Sequence, residues 1–148
     1  LVDGITAGTI SASKAVIVDS NKDVTGFRNV TTTGDVTVGD DITVAGKASG
    51  HVVDNTNSFT FDLATGNDFK TTSNTGSTLT FSNSTAGQSG NIMLVNGGNH
   101  AISADTNVAI NADVLTTISA TGTYHLAYFV TAASGDNTIL VSASAILT

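Results

Sequence analysis

Residues 59–81, FTFDLATGNDFKTTSNTGSTLTF, alternate apolar and polar side chains with period two. Phe59, Phe61 and Leu63 fall on one side, Thr60 and Asp62 on the other. Phe69 follows a Thr-Gly-Asn turn, and Leu79 and Phe81 alternate with Thr78 and Thr80 after a second turn. That period belongs to strands with one buried face, and the turns between the runs lead us to expect consecutive antiparallel strands. Four of the six Phe lie here, which puts the heart of the core in this stretch. None of its side chains is a plausible catalytic group.

Composition extends the strand reading to the whole chain. Charged residues make up 11%, against about 25% in ordinary domains. There is no Glu, Pro, Cys or Trp, and Thr, Ser, Asn and Gly fill the polar positions. Glu, Lys and Arg are the residues that usually clothe helices, whereas Thr on a solvated face favours strands. We expect an all-β protein with almost no helix. At 148 residues the chain is long enough for one domain with a core of its own. It begins at Leu1 rather than Met, as the mature or ordered part of a longer protein would.

The net charge is −7, all of it from Asp. Lys14, Lys22, Arg28, Lys47 and Lys70 are too scattered to form a basic patch. Nucleic-acid binding, which needs phosphates neutralised by Lys and Arg, is not expected. Nor is an anionic membrane surface, and no run approaches the roughly 20 apolar residues of a spanning helix. Without Cys there is neither a disulfide nor a thiolate metal site.

Residues 1–50 differ from the rest. Short apolar-alternating runs at 14–19, 24–31, 35–38 and 41–45 are cut by Gly or Asp. GDVTV at 34–38 and DDITV at 40–44 form a small repeat, as in stacked β-rungs or a thin fibre. Phe27 is the one aromatic of these fifty residues, too little to bury a core alone. Their Val and Ile are expected to be covered by other copies of the chain, in an extended, stalk-like β segment. KASG at 47–50 reads as a joint, and residues 51–148 as a β-sandwich or jelly-roll-like domain. Its strands are expected at 58–63, 68–72, 77–82, 91–96, 100–104, 107–110, 113–120, 123–132 and 138–147. Asn96-Gly97 gives the strongest hairpin signal. The last two strands are expected to pair across the turn at 134–137. Residues 123–132, TYHLAYFVTA, are apolar on both faces, as in a strand that is either central between packed layers or at a subunit interface. Tyr124, Leu126, Tyr128, Phe129 and Val130 are therefore candidates for an oligomer interface.

Catalytic and metal-binding patterns are weak. DSNKD at 19–23 opens like a calcium loop, but Val24 replaces the required Gly and Val30 the bidentate Glu. A polar turn fits it better. Asp40 and Asp41 are adjacent and read as a solvated turn. Nothing in the spacing of Asp62, Asp68 and Asp105 brings them together as paired carboxylates. His51, His100 and His125 have no HxH or HExxH spacing. His125, between Tyr124 and Leu126, is expected to be a packed or interface residue. Neither a G-x-S-x-G elbow nor a phosphate-binding Gly loop occurs. No enzymatic activity, cofactor or metal is expected.

Residues 5–38 resemble a segment that recurs in virion structural proteins of tailed bacteriophages. Residues 61–95 resemble a module of phage fibre and head-decoration proteins, with F-D-L-x-x-G-N-x-F, then T-F-S-N, then A-G-Q-S-G. The pattern falls on Phe61, Asp62, Leu63, Gly66, Asn67 and Phe69, on 80–83 and on 86–90. The resemblance implies an all-β virion component, usually trimeric, on the capsid surface. The corresponding expectation is a homotrimeric capsid decoration (cement) or head-fibre protein. It would bind across the major capsid protein and stabilise the shell. The alternative is a tail-fibre segment that binds a host receptor or glycan.

Overall fold

The structure, a computed structural model, describes residues 29–144. The candidate strand at 14–19 and the DSNKD turn lie outside the described residues. The chain divides into two units, Leu1–Ala45 and Gly46–Thr148.

The second unit is strand-dominated with one short helix. Its elements are β1 (Val52–Asp54), β2 (Thr60–Asp62), β3 (Asp68–Ser73), β4 (Ser77–Ser82), β5 (Ser89–Asn96), β6 (Ile102–Ala104) and β7 (Val108–Ala109). Helix α1 (Ala112–Ile118) and strands β8 (Gly122–Val130) and β9 (Ile139–Ala143) complete it. A large sheet has the order β1-β3-β5-β8-β9-β7, and a small sheet the order β2-β4-β6. Successive strands from β1 to β7 thus alternate between the sheets, and from β1 to β6 each rung lies on the one before. Both β1–β3–β5 and β2–β4–β6 are parallel.

This corrects the antiparallel expectation for residues 59–81 and the jelly-roll connectivity. Period-two alternation fixes which face of a strand is dry, but not the direction of its neighbour. Here the turns are corners from one sheet to the other. Asn96-Gly97 is such a corner too, since β5 and β6 sit in different sheets. The hairpin expected across 134–137 does form, with Val130 opposite Ile139 and Leu126 opposite Ala143. It enters the large sheet between β5 and β7, so that β8 runs antiparallel to β5.

The strand expected at 113–120 is helix α1. Asn111 caps it by accepting from the Asp113 N–H at 2.8 Å, and Asp113 lies in the first turn. Val114, Leu115 and Ile118 then share one helical face, with Ile118 fully buried.

One core lies between the sheets. Phe61 is at its centre, with ring centroids 5.4 Å from Phe69, 5.3 Å from Phe81 and 6.3 Å from Phe59. Phe69, Ile92 and Leu126 stack in register across three strands of the large sheet. Tyr124, Tyr128 and Val130 of β8 face the same interior.

Polar side chains at and beside the corners link each rung to the next. Thr71 Oγ1 donates to the carbonyls of Thr56 (3.0 Å) and Ser58 (2.8 Å) in the corner of the rung before. Asn74 Nδ2 reaches Asn57 Oδ1 at 2.8 Å, again one corner to the next. Asn96 is buried; its Nδ2 donates to the carbonyls of His100 and Ile118, and its Oδ1 accepts from the N–H groups of Gly98 and His100. On the other side of the coil, Asn83 sits at φ 52° and donates to Asp62 Oδ1 at 2.8 Å. Gln88 spans the same corners, accepting from the Thr85 N–H and donating to the Leu63 carbonyl.

Gly90 lies against the Asn67 carbonyl: an added Cβ would come within 1.7 Å of that oxygen and 2.7 Å of the Tyr128 hydroxyl. Gly90→Ala forces apart two rungs and is expected to cost about 3 kcal/mol or more, at the upper end for overpacking. Thermal and urea unfolding followed by circular dichroism measure it. In the same assay Phe61→Ala, which empties the centre of the aromatic cluster, is expected to cost about 3–5 kcal/mol.

Candidate interaction surfaces

The exposed large apolar side chains of the described residues fall in two regions, the segment 29–45 and the outer face of the large sheet. Residues 29–45 belong to the first unit and are exposed throughout, without strand or helix. Val30, Val36, Val38, Ile42 and Val44 are 43–70% accessible. The strands expected at 35–38 and 41–45 are absent, because a strand requires a ladder and no backbone hydrogen bond joins these residues to another described residue. Asp40 and Asp41 lie exposed at and beside a bend, as a solvated turn would.

The outer face of the large sheet is read off the register. One row runs Val52, Asp68, Asn91, Ala127 and Ser142; the next runs Asp54, Lys70, Met93 and His125. Asn91 Nδ2 donates to Asp68 Oδ1 at 2.8 Å. Its Oδ1 therefore faces His125 Nε2, also at 2.8 Å, which makes that imidazole nitrogen a donor. His125 is exposed rather than packed, because β8 is covered on one face and open on the other. The sequence misled here because Ala127 and Phe129 are apolar yet face outward.

The five residues singled out for an oligomer interface accordingly separate. Tyr124, Leu126, Tyr128 and Val130 lie in the core of the single chain, and Phe129 projects outward at 47% exposure. Phe129 is paired across the strands with Leu140, which is equally exposed, and the two form a small apolar patch.

Near β1 the same face holds a shallow groove of about 250 Å³. Asp54, Thr56, Asn57, Lys70, Thr72 and Met93 are among its lining residues. Lys70 Nζ lies 2.9 Å from Asp54 Oδ2, and both side chains are about half exposed. The sequence carried no signal for this pair, whose members are 16 residues apart and meet through the parallel register of β1 and β3.

Of the other carboxylates, Asp62 accepts from Asn83 Nδ2 and the Ala64 N–H, Asp68 from Asn91, and Asp105 from the Thr106 N–H. Each holds its own turn or strand neighbour. His51 is exposed, and His100 donates through Nδ1 to the Ser73 carbonyl at 2.8 Å. No group of three or more His, Cys, Asp or Glu that could hold a metal occurs among the described residues. No helix among them is long and apolar enough to cross a membrane. Comparison with protein-family models, curated proteins and solved structures gives no match.

Two carboxyls are held below the ordinary value of 3.8, Asp54 by the hydrogen bond from Lys70 and then the Thr56 N–H, Asp62 by Asn83 and then the Ala64 N–H. Burial, then the charge of Asp68, pushes the Tyr128 phenol up to about 12. The unfolded chain thus takes up protons first in acid, so the carboxylates stabilise above pH 3.8 and the gain is lost as pH falls through their folded values. In alkali the unfolded chain loses the Tyr128 proton first, so stability falls from pH 10 towards 12. Urea midpoints between pH 7 and pH 2.5 test the acid limb. Asp54→Asn and Asp62→Asn are each expected to flatten it relative to the parent chain.

Proposed function

We propose that this chain is a structural protein of a tailed-bacteriophage virion, a homotrimeric capsid decoration or head-fibre protein. It binds across subunits of the major capsid protein and stabilises the shell, without chemistry of its own. One observation carries the reading. The second unit closes its own core, with 17 buried apolar residues in one cluster, whereas residues 29–45 leave Val and Ile in solvent and their backbone without a ladder. A chain that closes one core and leaves residues 29–45 exposed is suited to assembly with further chains, and these residues are its stalk-like part.

The motif that resembles the phage fibre module supports the same reading, since its residues serve the coil. Phe61 and Phe69 are core; Asp62, Asn83 and Gln88 tie stacked corners; Gly87 takes φ 90° and Gly90 admits the Asn67 carbonyl. A scaffold so specified suits a mechanical role. Stabilisation of the shell then follows from mass action: a ligand that spans capsid subunits binds the assembled state alone, and its binding free energy adds to that state. The net charge of −7 keeps free trimers apart.

The second reading, a tail-fibre segment that binds a host glycan or surface protein, draws on the groove beside Lys70 and Asp54. Its hydroxyl, amide and charged groups next to Met93 can meet a polyhydroxylated ligand. Gold-labelled antibody on intact virions separates the two. Label over heads is the expected outcome. Label confined to tails overturns decoration and favours the receptor-binding reading.

A further inference from the structure

The bends of residues 29–46 recur at a fixed interval. They fall at Thr33-Gly34, Gly39-Asp40 and Ala45-Gly46, six residues apart. Between them stand four-residue segments that match position by position: Asn29–Thr32, Asp35–Val38 and Asp41–Val44, followed by Lys47–Gly50. The second position is Val30, Val36, Ile42 and Ala48; the third is Thr31, Thr37, Thr43 and Ser49. The fourth is Val38 and Val44 in the two central segments, so each offers an apolar pair two residues apart with Thr between them. In an extended backbone such a pair points to one side and the Thr to the other.

This geometry restricts what can cover the pairs. Each segment spans roughly 13 Å before the chain bends, so the stretch cannot continue as one strand of a flat sheet. Bends of one hand at a regular interval would carry it around an axis. Two segments with apolar pairs do not enclose an axis, for which three sides are the fewest. Added Cβ atoms at Gly34, Gly39 and Gly46 would meet nothing within 4 Å among the described residues. The partner must offer strands of the same length, the same alternation and the same interval of bends, with free backbone groups on both edges. Other copies of this segment meet all four conditions.

We propose that Val36, Val38, Ile42 and Val44 line the axis of a stalk built from three parallel, in-register copies of this chain, with Thr37 and Thr43 facing outward. The proposal rests on the assembly reading above and gives it an interface. Each copy supplies the backbone ladder the others lack, and same-numbered apolar side chains meet at the axis, as cyclic symmetry requires.

Sedimentation equilibrium on the full chain tests it, with Val36→Asp/Ile42→Asp and Thr37→Asp/Thr43→Asp as paired variants. The parent chain is expected at three times 14.9 kDa. The Val36→Asp/Ile42→Asp variant is expected to be monomeric at concentrations at least roughly 100-fold above those where the parent associates, a loss of the size that buried unpaired charges impose. Thr37→Asp/Thr43→Asp adds the same charge to the outward face and is expected to remain trimeric. Circular dichroism and the unfolding midpoint of the second unit are expected to be unchanged in both. A trimer that survives Val36→Asp/Ile42→Asp overturns the axis assignment and leaves the assembly reading standing, with the interface elsewhere. A parent chain that stays monomeric, or stops at a dimer, overturns the three-chain stalk, while antibody labelling of virions judges the virion reading separately.

Discussion

The rungs of the coil can stack only if their corners stack, and the corner at Asn67 is the tightest of them. Its carbonyl accepts from the Asn91 N–H at 3.2 Å and the Tyr128 hydroxyl at 2.8 Å, and it lies against Gly90. One oxygen thus connects the second rung, the third rung and the C-terminal hairpin. Any side chain at position 90 would displace it. Once this corner is seated, β3 meets β5 in parallel register and Phe69 falls over Ile92. In the small sheet the β2–β4 register likewise sets Phe61 beside Phe81, and Phe69 of β3 meets Phe61 across the core.

Parallel strands in such a coil bury their inner side chains well, yet they end in exposed edges that invite further pairing. The C-terminal hairpin covers the β5 edge and moves the edge of the large sheet to the two-residue strand β7. The β8–β9 hairpin enters beside β5 and carries β7 on its far side, while α1 lays Ile118 on the core. The insertion also selects the outward side chains. Because β8 presents Tyr124, Leu126, Tyr128 and Val130 inward, His125 and Phe129 are left on the open face. The Asp68–Asn91–His125 chain of hydrogen bonds is a product of that choice, joining residues of three strands separated by up to 57 positions.

The two units answer different physical demands. Residues 46–144 have enough Phe, Leu, Ile and Tyr to close a core in one copy. Residues 29–45 have Val and Ile at regular intervals but no aromatic, and leave them exposed. Small β-branched residues and Thr keep strands extended and solvated without forming a globule. That difference in composition separates a unit with a closed core from a described segment whose Val and Ile stay exposed, and the assembly function proposed here rests on it.

The strand-dominated fold was legible in residues 59–81 and in the absence of Glu, because alternation and composition act locally. Most strands lie within a few residues of where the alternation put them, and Phe59, Phe61, Leu63, Phe69, Leu79 and Phe81 are all buried. Helix α1 was also written locally, in the Asn111 cap and the spacing of 114, 115 and 118, but the apolar content of the stretch hid it. Strand direction, the partition into two sheets and the outward turn of His125 and Phe129 were not legible. They depend on which distant strand lies alongside, and a period of two is the same for parallel and antiparallel neighbours. The sequence by itself determined which side chains would be dry. Tertiary structure decided what they would be dry against, because that depends on corner hydrogen bonds and close approaches between residues far apart in the chain.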